Sequence, residues 1–336
     1  MSENTKNLEM DSVIIAHQSA CNEQRSIADD IIKAWSDQSA VPVVRVPVTK
    51  EERIKAVQQE LVIAHPTYAA AMNHAMCMVK QERRPRAPGL IVTGPVASGK
   101  TTFGRTILWK FQQLPPTSAI QNLPPCAVMI SLTGLTTAHG FYGRILRALN
   151  APVKTRQVRS EREDVAITAL AQANCSLLVL DELQDILKGS IQDQHRVLDT
   201  IKYIMNTLGM PVLGLGIEEA GRALEGNPHL KARFTEVRLS KWGYDQNYFN
   251  LLASVEPHLH LRGGAKLTES AIAKRILELS EGNMGLIMEI IRNAAVVAIA
   301  TGTDKITVDM IKPLSELPDH HFYDVMKEAR HEPIRA

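Results

Sequence analysis

Short apolar runs alternate with helical patterns through the middle of the chain. Amphipathic periodicity of 3.6 residues lies between the runs, around residues 138–149, 161–173 and 191–208. Strands that alternate with helices in this way predict an α/β fold, with a parallel sheet covered by helices on both faces. The predicted strands are GLIVTG (89–94), CAVMISL (126–132), SLLVLD (176–181), PVLGLG (211–216) and EVRL (236–239).

The pattern changes after Leu239, where only helical periodicity remains. It predicts a small helical domain, which we call the lid, with helices over 248–255, 268–279, 285–300 and 307–317. Residues 51–80 are also helical, with a break at His65–Pro66. We therefore divide the chain into an N-terminal extension (1–50), an α/β domain (51–240), the lid (241–317) and a C-terminal tail (318–336). In the extension, residues 13–32 predict a helix and residues 41–48 an extended segment.

Composition excludes several classes of protein. The formal net charge is +2 over 336 residues and only 4% of the residues are aromatic, so any DNA contact must come from a local patch. No apolar run reaches the ~20 residues of a membrane helix, and the polar N-terminus lacks a signal peptide. We expect a cytoplasmic protein whose four cysteines are reduced and mostly buried, since they form no CxxC pair.

The stretch from Gly94 to Thr101 fits the pattern GxxxxGK[ST], directly after a predicted strand and before a predicted helix. Such a loop curls so that its N–H groups face phosphate, and the helix N-terminus adds its positive end. We expect Lys100 to reach the β- and γ-phosphates of ATP and the Thr101 hydroxyl to bind Mg²⁺. The predicted nucleotide-binding residues are Gly94, Pro95, Val96, Ala97, Ser98, Gly99, Lys100, Thr101 and Thr102.

An acidic pair, Asp181–Glu182, ends the apolar run SLLVLD. In parallel sheets ligands sit at the carboxyl ends of the strands, so the pair should face the nucleotide. We assign Asp181 to the Mg²⁺ site and Glu182 to orienting the attacking water, which predicts an ATPase with slow, partner-stimulated turnover. An acidic pair that only ends a strand is the structural alternative.

Four further residues bear on γ-phosphate chemistry. Ile217 follows the run PVLGLG at a place where many such enzymes have a polar side chain, and the carboxylate of Glu218 would repel phosphate. Arg233 lies near the last predicted strand and is the candidate to reach the γ-phosphate bound by a neighbouring subunit. Arg222 is the second candidate, and a solvated helix arginine is the structural alternative for Arg233.

In the order of these motifs the chain resembles the AAA+ superfamily, and within it the transposon ATPases of the TniB/TnsC type. The resemblance covers about residues 50–315 and rests on IVTGPVASGKTT, LLVLDELQDI, PVLGLGIEEAGRALEGNPHLKARFTEVRL and SEGNMGLIMEIIRNAAVVA. The chain departs from the family at Ile217, usually Thr, and at Leu286, where the lid often carries Arg.

This resemblance implies a homo-oligomer, either a ring or a helical filament, that assembles with ATP on double-stranded DNA. It also implies that the oligomer links a transposase to a target-selecting protein, with an RNA-guided complex left open, and that hydrolysis drives disassembly. Loops on the inner surface would contact DNA phosphates. The candidate residues are Thr133, Thr136, Thr137, His139 and Arg144 in one loop, and Lys154, Thr155, Arg156 and Arg159 in the next.

Two alternative functions and one weaker DNA-contact candidate remain open. A helicase loader or replication initiator would share the same motifs, although the tail after residue 317 is too short for an initiator's winged-helix domain. A signalling ATPase would use the nucleotide as a switch for protein partners and would not need DNA. The basic run Lys80, Arg83, Arg84 and Arg86 is a weaker DNA candidate, for which a solvated surface is the simpler interpretation.

Overall fold

The computed structural model describes residues 49–59, 61–63, 65–81, 83–114, 125–151 and 159–313, with the side chain of Arg159 excepted. The predicted helix at 13–32, the extended segment at 41–48, the residues Lys154–Arg156 and the tail lie outside these ranges. The chain divides into two compact units. Among the described residues, the first contains those of 66–96 and 100–239, and the second contains those of 49–65, 97–99 and 240–313.

The first unit is built on a five-stranded sheet in which every pairing is parallel. All five predicted strands are confirmed. Their bounds are β1 Gly89–Thr93, β2 Cys126–Ser131, β3 Cys175–Asp181, β4 Val212–Gly216 and β5 Phe234–Arg238. The strand order is β2-β3-β4-β1-β5, so β1 lies between β4 and β5.

Helices cover this sheet, as the alternating pattern predicted. They are α2 Pro66–Lys80, α3 Lys100–Gln112, α4 Ala138–Ala148, α5 Arg159–Gln172 and α6 Ile191–Leu208, with short turns α7 Ala220–Ala223 and α8 Pro228–Lys231. A 3₁₀ segment, Leu183–Lys188, follows β3, and another, Leu224–Gly226, follows α7.

The apolar character of each strand follows its place in the sheet. Every residue of the inner strands β1 and β4 is buried, whereas the edge strands β2 and β5 are partly exposed. Burial of one Val, Leu or Ile side chain contributes about 1.5–3 kcal/mol, and β1 and β4 each bury three such side chains. The inner position of β1 puts the residues that follow Thr93 at the middle of the carboxyl edge.

Helix α6 has strong signals at both ends. The Ser190 hydroxyl accepts a hydrogen bond from the Asp193 N–H at 3.2 Å, which caps the first turn. Gly209 ends the helix at φ 58°, and a Cβ there would lie 2.9 Å from the Arg84 nitrogen. Glycine is therefore required at 209 both by the backbone conformation and by the space.

The second unit is helical. Its helices are α1 Lys50–Val57, α9 Gln246–Val255, α10 Ser270–Ser280 and α11 Met284–Ala300, with 3₁₀ turns at Glu256–Leu259 and Val308–Met310. Its core includes Leu252, Ile276 and Ile291. The sequence pattern assigned α1 to the sheet domain, but Ile54 and Val57 belong to the buried cluster of this helical unit.

Arg53 of α1 adds a polar anchor within the second unit. The residue is 2% exposed, forms an ion pair with Asp304, and donates from Nε to the His260 carbonyl at 2.8 Å. A buried guanidinium needs such partners, because leaving it unpaired would cost several kcal/mol. Arg53 is thus bound to residues 207 and 251 positions later, which no local pattern indicates.

The predicted helix at 307–317 is wrong in the described part of the chain. Only the 3₁₀ turn Val308–Met310 forms there, its Thr307 cap makes no side-chain hydrogen bond, and Ile311 is extended. Pro313 disfavours helical backbone at Lys312, which explains why the periodicity does not continue as a helix.

Two expectations about cysteines and membranes can be compared with the described residues. Cys77, Cys126 and Cys175 are free thiols, but only Cys175 is buried, so the expectation of mostly buried cysteines is wrong for these three. Within the ranges described, none of the helices is both long and apolar enough to span a lipid bilayer.

Candidate nucleotide site

The loop after β1 has the curled backbone that a phosphate cradle needs. Ala97 and Gly99 have φ values of 60° and 86°, which turn successive N–H groups toward one side. A side chain at Gly99 would meet no atom within 4 Å, so glycine is favoured there by its backbone angle and not by crowding. Helix α3 begins at Lys100, directly after the loop, as the pattern predicted.

Lys100 folds back over this loop. It is 7% exposed, and its Nζ donates to the carbonyls of Gly94 at 3.0 Å and Pro95 at 2.5 Å. Burial lowers the pKa of the Lys100 ammonium, while the nearby carboxylates of Glu182 and Asp181 oppose that shift. The ammonium therefore lies between the loop and two acidic groups, where phosphate oxygens would stabilise its charged form.

Thr101 and Asp181 connect the loop to the acidic end of β3. The Thr101 hydroxyl donates to Asp181 Oδ2 at 3.0 Å, and Asp181 is 7% exposed. Burial raises the pKa of the Asp181 carboxyl, and hydrogen bonds from Thr101 and from the Glu182 N–H oppose the rise.

These two side chains fit a magnesium ion. Both present hard oxygen atoms, which Mg²⁺ prefers, and Mg²⁺ commonly takes only one or two carboxylates with phosphates and waters completing its shell. Among the described residues no cluster of three or more His, Cys, Asp or Glu side chains could hold a metal alone. The pair is therefore suited to an ion that arrives with phosphate.

Glu182 has an unusual backbone. Its φ and ψ of 58° and 45° are left-handed, which costs a residue with a side chain on the order of 1 kcal/mol or more. The Glu182 N–H donates to Asp181 Oδ1 at 3.1 Å, and the Glu182 carboxylate accepts a hydrogen bond from Gln184 Nε2. Such strain is typical of functional sites.

Gln184 is a site residue that the sequence analysis missed. Its Oε1 accepts a hydrogen bond from the Ile217 N–H at 3.2 Å, while its Nε2 binds the Glu182 carboxylate. The signal in the sequence was its position two residues after Glu182, in DELQ, on the segment that leaves the acidic strand.

The residues after β4 lie where predicted, at the carboxyl edge. Ile217 contributes its backbone N–H, since its side chain has no polar atom. Glu218 Oε1 lies 3.6 Å from Arg238 NH1, and both side chains are more than half exposed, so this ion pair contributes little to stability.

In the second unit, Ala97 of the loop and the start of α11 lie together. The Asn283 side chain caps the helix by accepting from the N–H groups of Gly285 at 3.0 Å and Leu286 at 3.3 Å. The Gly285 N–H also donates to the Ala97 carbonyl at 2.9 Å, and a Cβ on Gly285 would lie 2.6 Å from Ala97 Cβ. Leu286 offers no cation at this helix end.

Arg233 lies at the opposite edge of the sheet from its own phosphate loop. Its carbonyl accepts from the Gly89 N–H at 2.9 Å, at the start of β1, whereas the loop follows the end of β1. Five residues of strand separate the two by roughly 16 Å. Its NH1 donates to Asn206 Oδ1 at 2.9 Å, and burial, then Arg86, lowers the pKa of its guanidinium. Arg222, the second candidate, is exposed on α7.

The first predicted DNA loop joins β2 to α4. Thr133, Thr136 and Thr137 are exposed, and Thr137 also caps α4 by accepting from the Gly140 N–H at 3.2 Å. His139 is half-buried on the first turn of that helix.

Arg144 is hydrogen-bonded to the backbone of this loop. Its guanidinium donates to the Ser131 carbonyl and, at 2.8 Å, to the Thr133 carbonyl. These hydrogen bonds give Arg144 a structural role within its own loop. The second predicted loop, at Lys154–Arg156, lies outside the described residues, and Arg159 begins α5.

The segment after β3 brings a further cation to the first loop. The Gly134 N–H donates to Asp185 Oδ2 at 3.0 Å, and Lys188 Nζ lies 2.7 Å from Asp185 Oδ1. Lys188 is 66% exposed, so its charge faces solvent beside the threonines. Sequence reasoning missed it because the contact depends on Asp185.

The weaker basic run makes structural contacts at the amino edge of the sheet. Arg83 NH2 donates to the Cys175 carbonyl at 3.0 Å and to Asn174 Oδ1 at 3.1 Å, and Arg84 NH2 donates to Gln81. Two of its arginines thus have partners within the first unit.

The fold and the site together define a class. A parallel sheet of order 2-3-4-1-5, a phosphate loop after the inner strand β1 and an acidic pair after β3 are the features of an AAA+ P-loop ATPase.

Solved structures agree with this fold. The chain is similar to the Aeropyrum pernix ORC2 protein in its ADPNP-ADP complexes, with 14% identity, a TM-score of 0.55, and 78% of this chain and 71% of that chain covered. The A. pernix ORC1 protein in complex with DNA is 13% identical to it, with a TM-score of 0.54, and the match covers 82% of this chain and 69% of that chain. Drosophila ORC bound to DNA is 15% identical, with a TM-score of 0.54, and the match covers 87% of this chain and 72% of that chain.

The family is more specific. The sequence model described as "Bacterial TniB protein" matches residues 53–244, more than half of the chain, and the protein belongs to that family. The predicted membership in the TniB/TnsC type of AAA+ ATPase is thereby confirmed. No curated protein sequence is significantly similar to this one.

Proposed function

We propose that this protein is an ATP-dependent, DNA-binding regulator of transposition. It oligomerises on double-stranded DNA, links a target-selecting protein to the transposase, and disassembles when ATP is hydrolysed. The observation that carries the ATPase part is the 3.0 Å bond from Thr101 to Asp181 beside buried Lys100, since it joins the phosphate loop to the acidic strand end. Membership in the TniB family supports the transposition part.

The chemistry follows from the side chains. Lys100, already within the loop, would exchange its carbonyl partners for the β- and γ-phosphate oxygens of ATP. Thr101 and Asp181 would hold Mg²⁺, which supplies charge neutralisation on the phosphates. Glu182 would accept a hydrogen bond from the attacking water and align it with the γ-phosphorus.

Arg233 is proposed to act between subunits. It lies at the amino edge of its own sheet, roughly 16 Å from its own loop, so it cannot reach the phosphates that its own chain binds. It remains available only to the nucleotide of a neighbouring copy, to whose γ-phosphate it would donate after releasing Asn206. This arrangement would make hydrolysis depend on assembly.

DNA binding is proposed for the loop between β2 and α4. The exposed hydroxyls of Thr133 and Thr136 and the cation of Lys188 suit phosphate contacts, which position a protein without reading sequence. Two of the similar solved structures contain DNA, the A. pernix ORC1 protein and Drosophila ORC, which supports DNA as a partner of this fold.

The test combines DNA binding with assembly. Purified protein, duplex DNA and a slowly hydrolysed ATP analogue should give oligomers in electron microscopy, and DNA affinity should fall linearly on a log–log plot against salt concentration. Lys188→Gln should make the slope of that plot shallower by roughly 1, which corresponds to one fewer counterion released on binding. The matched control is Lys241→Gln, which removes an exposed lysine of the second unit whose partner, Glu281, is also exposed.

Two outcomes would overturn parts of the proposal. Protein that binds ATP but neither binds DNA nor assembles on it would favour a switch that acts on protein partners. Protein with no affinity for ATP in magnesium buffer would refute the proposed function as a whole.

A further inference from the structure

The end of β4 carries no polar side chain, yet it is hydrogen-bonded to the acidic site. Ile217 follows the last strand residue, Gly216, and only its backbone N–H can donate. That N–H donates to Gln184 Oε1 at 3.2 Å. The amide of Gln184 therefore brings a polar side chain to the end of β4, beside a residue that has none.

The other end of the same amide holds the Glu182 carboxylate. Gln184 Nε2 donates to Glu182 Oε2. Only this orientation of the amide satisfies both neighbours, because a flipped amide would set its NH₂ group against the Ile217 N–H and its oxygen against a carboxylate. One side chain thus bridges the carboxylate after β3 and the backbone after β4.

Two glycines of β4 make room for this bridge. A Cβ at Gly216 would lie 2.4 Å from Gln184 Oε1 and 2.6 Å from Ala220 Cβ, so any side chain would displace the amide. A Cβ at Gly214 would lie 2.8 Å from Leu183 Cδ2, and Leu183 is itself 1% exposed. The run VLGLG is thus shaped to hold Leu183 and Gln184 against the strand.

We propose that Gln184 is a positioning residue for ATP hydrolysis. Through its amide it fixes the rotamer of the Glu182 carboxylate and couples that rotamer to the backbone at Ile217, so that a shift of the β4 end moves the carboxylate. It thereby replaces the polar side chain that Ile217 lacks. This inference rests on the proposed function, in which Glu182 aligns the water.

The first test separates binding from turnover. Gln184→Ala should lower the kcat for ATP about 10- to 100-fold, as loss of an outer-shell partner typically does, and leave KM and the affinity for a fluorescent ADP analogue within about twofold. Gln194→Ala is the matched control, because the Gln194 amide is likewise hydrogen-bonded, to the backbone carbonyls of Leu187 and Gly189, but not to Glu182 or Ile217. An unchanged kcat in Gln184→Ala, with active wild type, would overturn the inference.

The second test uses charge. Gln184→Glu keeps the size of the side chain and an acceptor for Ile217, but it removes the NH₂ donor and places a carboxylate against Glu182. Like charges repel, so the Glu182 carboxylate should be displaced and kcat should fall at least as far as in Gln184→Ala, with the affinity for the ADP analogue again within about twofold. A wild-type kcat in Gln184→Glu would contradict the bridge.

A third measurement needs no activity. Hydrogen exchange at the Ile217 amide should accelerate roughly 2- to 10-fold in Gln184→Ala, which corresponds to the loss of one neutral hydrogen bond, and should not change in Gln194→Ala. If the wild type hydrolyses no ATP, the proposed function and the hydrolytic role of Gln184 fail together, while faster exchange would still establish the bridge. Unchanged exchange would overturn the bridge whatever the ATPase result.

Discussion

The hydroxyl of Thr101 and the carboxylate of Asp181 lie 3.0 Å apart, although 80 residues separate them along the chain. The first follows the phosphate loop and the second ends β3, and parallel strands bring both to one edge of the sheet. This contact turns two separate sequence motifs into one site.

Removal of the Asp181 charge should abolish magnesium binding without lowering the stability of the apo protein. Burial raises the pKa of this carboxyl in the folded protein, so the folded state binds more protons than the unfolded state between the two pKa values. The contribution of Asp181 to stability therefore decreases as pH rises from about 4 through the raised pKa. Asp181→Asn should leave the apo protein as stable or slightly more stable at pH 7, and abolish stabilisation by Mg²⁺–ATP in thermal unfolding.

The matched control is Asp164→Asn, which removes a carboxylate from the exposed side of α5. It should change neither the unfolding temperature of the apo protein nor the stabilisation by Mg²⁺–ATP. A marked loss of apo stability in Asp181→Asn would contradict the burial argument.

Lys100→Ala should abolish nucleotide-dependent assembly. The variant loses the ammonium that lies within the loop, and we expect ATP affinity to fall by at least about 100-fold, the equivalent of roughly 3 kcal/mol in charge-assisted bonds. Equilibrium binding of a fluorescent ATP analogue and light scattering would measure the two effects. Lys110→Ala, on the last turn of the same helix, is the control, and normal assembly of Lys100→Ala without nucleotide would refute the prediction.

Glu182→Gln should preserve assembly and slow ATP loss by about 10²-fold or more, since the amide cannot accept a proton from water. Phosphate release and electron microscopy on DNA would be compared in the same preparation. The oligomers should persist longer than those of the wild type. Unchanged hydrolysis would remove Glu182 from its assigned role.

Arg233→Ala should lose hydrolysis but retain ATP binding, because the residue lies away from its own loop. A mixture of Arg233→Ala and Glu182→Gln should recover part of the activity, since the intact Glu182 site of an Arg233→Ala copy can then meet the intact Arg233 of a Glu182→Gln neighbour, and Glu182→Gln still assembles. Arg196→Ala, an exposed arginine of α6, is the control. Full activity of Arg233→Ala alone would contradict the role between subunits.

Substitutions at three glycines distinguish the cost of backbone strain from the cost of steric crowding. Gly209→Ala should destabilise the protein by about 1–3 kcal/mol, because φ is 58° and the new Cβ would lie 2.9 Å from the Arg84 nitrogen. Gly134→Ala, at φ 67° in open space, should cost only about 1 kcal/mol. Gly243→Ala has neither feature and should be neutral in urea unfolding.

The sequence alone predicted the sheet, the phosphate loop and the acidic pair. Each depends on neighbouring residues: a continuous apolar run suits a strand buried on both faces, and the loop needs its glycines and lysine at fixed spacing. The failures were of two kinds. The pattern at 307–317 ran into Pro313 and its Thr307 makes no capping hydrogen bond, whereas α1 was placed with the sheet although Ile54 is buried among residues far away in the chain.

Only the tertiary structure decided which polar groups meet. Nothing local relates Gln184 to Ile217, and the contact exists because β4 pairs beside β3 and its glycines leave space for the amide. In the same way Arg144, which resembled a DNA contact, donates to two carbonyls of its own loop. A hydrogen bond is specified by the positions of two atoms, and for residues far apart in the chain those positions are set by the packing of the strands between them.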